Sequence, residues 1–528
     1  MLLIVLIAAP LNGCSDDSDS SEGSMADADT ESSNSDGDTS IEGDTGPEEP
    51  ELGEDGFPPM PDWEPALALV WEQQDEACIF SSPRAIDLDG DGQMELLQGH
   101  GKENLAADSF DGTYEPFGYM TVRNSATGEQ LGRVDGRDEL VGSATLVELN
   151  DDGVLDVVIG GRNGELMAVS GSDTSLLWQF YPEGGAVEDG WYNFYTPQPI
   201  GDVNDDAVPD LLTANGGDAS RFPGDPDRPP GHLMVISGAD GTIVSAVETP
   251  DGAETYMSPV VYRPTPEADL QVLFGTGGET LPGSLWQVPV ADVVAGDLTA
   301  ALELVPPTDA NKGIIAPPSV GDLNQDGVQD IVAVAFDGRL IAFDGTSMEE
   351  MWALTYADHE SIASPALGFF DDNPGLDVAL LVLEGTFPRY NNATHLLVRG
   401  DTGQKIFEQN LAGIRAAGSP LAVDLTGDGR DEVIWLLFSL QGKTLVAILD
   451  PVRQSELHRA WLRDGFSIST PLVADLEGDG RLELITSVNL PTIEFSWGMQ
   501  RLDLKANTPE RISWGAYLGS TFNSVWEP

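Results

Sequence analysis

The stretch SSPRAIDLDGDGQMELLQG, residues 81–99, joins a small residue and a proline to a short apolar run, an acidic turn and a second apolar run. The same order returns in APPSVGDLNQDGVQDIVAVA (316–335), GSPLAVDLTGDGRDEVIWLL (418–437) and STPLVADLEGDGRLELITSV (469–488). Looser copies are GSATLVELNDDGVLDVVIGG (142–161), TPQPIGDVNDDAVPDLLTANGG (196–217), MSPVVYRPTPEADLQVLFGTGG (257–278) and ASPALGFFDDNPGLDVALLV (363–382). Anchored on the proline or the residue replacing it, the copies start at 83, 144, 198, 259, 318, 365, 420 and 471, a spacing of about 55 residues. Eight such units fill residues 61–528, and the last, begun at 471, runs to the C-terminus.

Between the acidic turns lies a third apolar run, as in GELMAVSG (164–171), GHLMVISG (231–238), GRLIAFDG (338–345) and THLLVRGD (394–401). A fourth follows a turn and often carries an aromatic: Trp178, Trp352, Trp461 or Trp514. Apolar runs of five to eight residues bounded by Gly, Asp and Pro are strand signals, and no window sustains a helical period. Four short strands per unit predict an all-β chain, a β-propeller of about eight four-stranded blades, with seven as the alternative. The recurring tryptophans read as blade-packing anchors.

The units resemble the FG-GAP or VCBS repeats of integrin-like propellers over essentially all of 61–528. The third and fourth runs also resemble the tryptophan-docking repeats of quinoprotein dehydrogenases. The Phe-Gly and Gly-Ala-Pro flanks of full FG-GAP repeats are mostly missing, and so is the adjacent cysteine pair of many quinoproteins.

Six of the acidic turns suit calcium, which takes six to eight hard oxygens. Positions 1, 3, 5 and 9 supply side-chain oxygens, position 7 a carbonyl, and glycine at position 6 permits the sharp turn. The sets are Asp87, Asp89, Asp91 and Glu95; Glu148, Asn150, Asp152 and Asp156; and Asp202, Asn204, Asp206 and Asp210. The others are Asp322, Asn324, Asp326 and Asp330; Asp424, Thr426, Asp428 and Glu432; and Asp475, Glu477, Asp479 and Glu483. About six calcium ions are expected. Ala207 replaces the position-6 glycine of the third set and predicts strain there. In the fourth unit Arg263 stands in the place of the first ligand, and no ion is expected. In the sixth Phe369 does, leaving Asp371, Asn373 and Asp377 for a weak ion or none. An EF-hand would close on a glutamate at position 12 and lead into a helix; these turns close at position 9 and lead into strands.

Lys+Arg 24 against Asp+Glu 90 gives a formal charge of -66, so nucleic acid is excluded as a partner and cations are invited. MLLIVLIAAPLNGC (1–14) is apolar and too short to span a bilayer, which reads as a signal peptide over 1–13. Its end, Leu11-Asn12-Gly13-Cys14, resembles the lipobox of bacterial lipoproteins, which implies export to a bacterial cell envelope with a lipid on Cys14. No Lys or Arg precedes Arg84, so the usual basic start of such a leader is missing. The rest of 14–60 is a disordered acidic linker: Ser15–Gly56 holds 16 acidic residues and no basic one. Contact with a membrane is then expected only through the lipid. Cys78, in EACIFSSP, reads as buried strand core.

The five histidines form no metal motif, and no nucleophile elbow or phosphate loop is present. The expected function is a non-catalytic binding or adhesion module for an extracellular protein or glycan. The alternative is a carbohydrate-active enzyme, since the repeat also resembles that of some polysaccharide lyases. The irregular stretch 181–197 would then matter, with Trp191, Tyr192, Phe194 and Tyr195 as a ligand platform.

Overall fold

The computed structural model describes residues 67–527 apart from 78–79, 102–115, 182–189, 219–220, 222–223, 466, 468 and 491–495. The leader, Cys14, the acidic linker and Cys78 lie outside the described residues. The described chain forms eight antiparallel sheets, one for each repeat. Four strands run outward from the axis in chain order, as in Arg84–Ile86, Glu95–Gly101, Gly118–Asn124 and Gln130–Gly136 of the first blade. In blades three, six and seven the innermost strand is split in two around Pro197, Pro365 and Pro420. Proline has no N–H to give the ladder. Among the described residues one short helix, Val290–Ala295, is inserted in the fourth blade.

The apolar runs at the second strands are continuous because both of their faces are covered. In Asp330–Val334, Ile331 and Ala333 pack toward blades three and four, while Val332 and Val334 pack toward blades six and seven. Each cluster of buried residues is shared by neighbouring blades, from the first and second round to the eighth and first. The core is therefore a ring of interfaces between blades.

Ring closure differs from the expectation that the eighth unit ends at the C-terminus. That blade takes three strands from Leu472–Ala474, Arg481–Leu490 and Ser496–Asn507, and its outermost strand is Ala68–Asp75 from the other end of the chain. The residues after Asn507 form no blade strand and cross the axis. Trp514 and Ala422 exchange two backbone hydrogen bonds, Val473 N–H donates to Gly515 O at 2.8 Å, and Trp526 N–H donates to Val320 O at 2.8 Å.

The tryptophans divide accordingly. On the outermost strands, Trp178 Nε1 donates to Gly238 O at 2.7 Å and Trp352 Nε1 to Gly400 O at 2.6 Å, each reaching the next blade. Trp71, not singled out above, does the same to Ser125 O at 2.8 Å. Two of the expected anchors stand elsewhere. Trp461 sits two residues out of register, pairing with Leu445 where Arg459 pairs with Ala447. Trp514 belongs to the axial segment.

Candidate functional site

The six acidic turns share one backbone. Positions 4 and 6 both take positive φ, from Gly90 and Gly92 (76° and 90°) to Gly478 and Gly480 (65° and 83°). Ala207 follows at 71°, so the strain expected at the third turn is present in a residue whose Cβ opposes that conformation. The first carboxylate holds the turn: Asp87 accepts from Gly90 N–H at 2.7 Å and from Gly92 N–H at 3.0 Å. Position 5 accepts from the N–H of position 7, as Asp326 does from Val328 at 2.9 Å.

The closing acid at position 9 has a second job. One of its oxygens accepts the N–H of position 2 in all six turns, as Glu95 does from Leu88 and Asp330 from Leu323. Asp377 of the sixth unit accepts from Phe370 in the same way. Burial pushes these acids up, Asp330 to about 6, Glu483 to about 7 and Glu432 to about 8. Burial also raises Glu95, and the carboxylates of Asp89, Asp91 and Asp87 add to it. Neighbouring carboxylates that raise one another are the environment a divalent cation would relieve.

The turns are not equivalent. Oxygens of Asp87, Asp89 and Glu95 lie within 4.8 Å of one another. In the eighth turn Glu477 leans to Arg501 at 2.6 Å, and the same guanidinium lies 3.6 Å from Glu483. In the fifth, the Asn324 amide donates to Asp344 at 3.1 Å, and in the seventh, Thr426 donates to Glu432 at 3.2 Å. Arginine also stands in the two units where the pattern fails. The Arg263 guanidinium donates to Ala268 O in the fourth unit. In the sixth, Arg430 lies 3.2 Å from Asp372 and Arg399 lies 3.9 Å from Asp371.

At the opposite ends of the innermost strands the blades enclose an axial funnel of about 260 Å³. Its wall alternates apolar side chains such as Phe80, Val141, Ile315 and Ile362 with the serines and threonines at the start of most units, and those hydroxyls tie blade to blade. Thr470 N–H donates to Ser82 Oγ at 3.0 Å, Ser82 N–H to Ser143 Oγ at 3.0 Å and Ser143 N–H to Thr196 Oγ1 at 3.1 Å. Across the ring Ser364 N–H donates to Ser419 Oγ at 3.0 Å. Tyr517 of the axial segment lines the bottom, its carbonyl held by Arg84 at 2.7 Å. Arg84 is fully buried, lies 4.3 Å from the Phe522 ring centre, and is pushed down to about 9 by burial. The serines were visible in the sequence as part of the repeat; that they converge on one cavity was not.

Among the described residues, the four aromatics of the expected platform do not share one surface. Phe194 is fully buried, edge-on to Phe180, and its ring is closed to any ligand. Trp191 packs against His232, while Tyr195 lines the funnel. Tyr192 remains half-buried.

No family model and no curated protein matches the sequence. Solved structures do match the fold. A europium-containing methanol dehydrogenase aligns with 83% of this chain and 93% of its own at a TM-score of 0.57 and 11% identity. Quinohemoprotein alcohol dehydrogenase from Comamonas testosteroni covers 84% of this chain and 78% of its own at 0.53 and 11%. Sqt1 of Saccharomyces cerevisiae covers 81% and 96% at 0.51 and 12%. At such identities the likeness is one of fold, and the finer resemblance to integrin-like repeats stays with the sequence motifs.

Proposed function

We propose that the chain is an exported, calcium-bearing propeller that acts as a non-catalytic binding or adhesion module at a bacterial cell envelope. A lipid on Cys14 anchors it, and its partner is an extracellular protein or glycan. The observation that carries the calcium reading is the set of six turns with one backbone, each closed by a buried acid, with the oxygens of Asp87, Asp89 and Glu95 converging in the first. The residues offer hard oxygens only; arginine meets acids of the incomplete sixth unit and also Glu477 and Glu483 of the eighth. The binding reading draws on the funnel and on the histidines. His100 stacks on Tyr119 at 4.6 Å and His395 on Trp435 at 3.8 Å, so both serve as core rather than as bases.

Melting the protein with calcium and with EGTA tests this reading. An ion that binds only the folded chain stabilises it by about 2.7 kcal/mol per site at a hundredfold excess over Kd. EGTA is therefore expected to lower Tm strongly, and Asp322→Ala with Asp326→Ala to lower it in part. Cys14→Ser is expected to abolish fatty-acid labelling in a bacterial host. A Tm indifferent to EGTA removes the calcium, label retained by the mutant removes the anchor, and turnover of a polysaccharide removes the non-catalytic role.

A further inference from the structure

We propose that the axial funnel binds a neutral, hydroxyl-rich ring, a single sugar residue of a glycan entering end-on. This rests on the binding role above and assigns it a place and a ligand class.

The first argument is shape. The cavity of about 260 Å³ falls below the roughly 300–1,000 Å³ of sites for drug-sized ligands. Tyr517 and the axial segment lie at its lower end. A ligand enters from one face only, and one ring fills the space.

The second argument is the state of the hydroxyls. Ser82, Ser143, Thr196 and Ser419 each accept a backbone N–H from a neighbouring blade. Ser258 Oγ accepts from the Tyr517 hydroxyl at 3.0 Å. A hydroxyl that accepts still has one O–H to give, and among the described residues none of these five gives it. Ser364 goes further: it is 2% exposed, lines the funnel, and its Oγ has no hydrogen-bond partner at all. A buried hydroxyl left unmade costs free energy that a ligand oxygen would recover. Unused donors thus alternate on the wall with apolar side chains such as Val141, Ile315 and Ile362, which suits a ligand that carries oxygens around an apolar ring.

The third argument is charge. Arg162 on the wall meets Glu139 at 3.1 Å, Lys312 meets Glu360 at 2.9 Å and Arg228 pairs with Glu254, while Arg84 beneath the cavity is engaged by the Tyr517 carbonyl and the Phe522 ring. With a formal charge of -66 on the chain, an anionic ligand gains no net attraction. The rings of Tyr195 and Tyr256 on the wall give an amphipathic surface for the C–H face of a sugar. Oxygen-rich, uncharged and one ring in size is the description that satisfies all three.

The test is calorimetric titration of the calcium-loaded protein with glucose, galactose, N-acetylglucosamine and glucuronate. Saturable binding of at least one neutral sugar is expected, with glucuronate weaker. Ser364→Ala removes a hydroxyl that has no partner, so Tm should hold while affinity falls about fivefold to tenfold. Ala363→Trp fills the cavity and should abolish binding. Three results overturn the proposal: no neutral sugar binds at millimolar concentration, glucuronate binds better, or both variants bind as the parent does. Failure here with intact calcium dependence and retained adhesion to an envelope partner would leave the general binding role standing and move its surface elsewhere.

Discussion

Asp377 shows at the residue scale what an acidic turn becomes when its cation set is incomplete. Its carboxyl accepts the Phe370 N–H at 2.9 Å, its other oxygen has no partner, and Asp371 and Arg399 are the charged groups that act on it. Burial raises it from 3.8 to about 7, with Asp371 adding to the rise and Arg399 opposing it. The folded chain therefore holds this proton more firmly than the unfolded chain does. The stability it contributes is complete below pH 4 and is lost as pH rises through 7, a change of a few kcal/mol. Urea midpoints of the EGTA-treated protein are expected to fall between pH 5 and pH 8, and Asp377→Asn to flatten part of that fall. Equal slopes in both proteins would refute the assignment. The sequence showed this residue as a leftover ligand; its role as a staple on the Phe370 N–H appears only once the turn is folded.

The decisive element is the strand Ala68–Asp75. It pairs with Ser496–Asn507 across the whole length of the chain and brings Trp71 against the first blade, where Gly128 lies directly under the indole. Trp71 is 8% exposed, and truncation of such a side chain to alanine costs about 3–5 kcal/mol. Trp71→Ala is expected to lower the urea midpoint far more than Trp461→Ala, because Trp461 lacks the docking register. Comparable losses would show that the two indoles do the same work. Removing 67–75 altogether would leave Ser496–Asn507 as a bare sheet edge, the geometry that invites association between molecules.

At the scale of the whole molecule the dominant fact is like charge. Setting aside the 16 acids of Ser15–Gly56 leaves 74 acidic residues against 24 basic ones, a formal −50. Six calcium ions would return +12, placed where carboxylates lie closest. Without them the turns repel across each blade and between blades, and only salt can screen that repulsion, over about 10 Å at 0.1 M. Sodium chloride is therefore expected to raise the Tm of the EGTA-treated protein clearly and that of the calcium-loaded protein little. A Tm in EGTA that stays flat from low to high salt would show that self-repulsion does not limit the fold.

The repeats, the four-strand blades, the acidic turns and the odd units four and six were legible in the sequence. Each depends on residues within about one repeat of one another: Asp87 and Glu95 hold their own turn, and Ile331 to Val334 alternate between two neighbours by strand geometry alone. The count of eight blades was legible too, whereas the closure of the ring by Ala68–Asp75, the seating of Trp71, the axial course of Trp514 to Trp526 and the funnel above Tyr517 came from the tertiary structure. These rest on contacts such as Arg84 to Tyr517, 433 residues apart. A local pattern fixes which way a side chain faces, but closing a ring requires the two ends of the chain to meet. That meeting is decided by how eight blades pack around one axis, which no single repeat encodes.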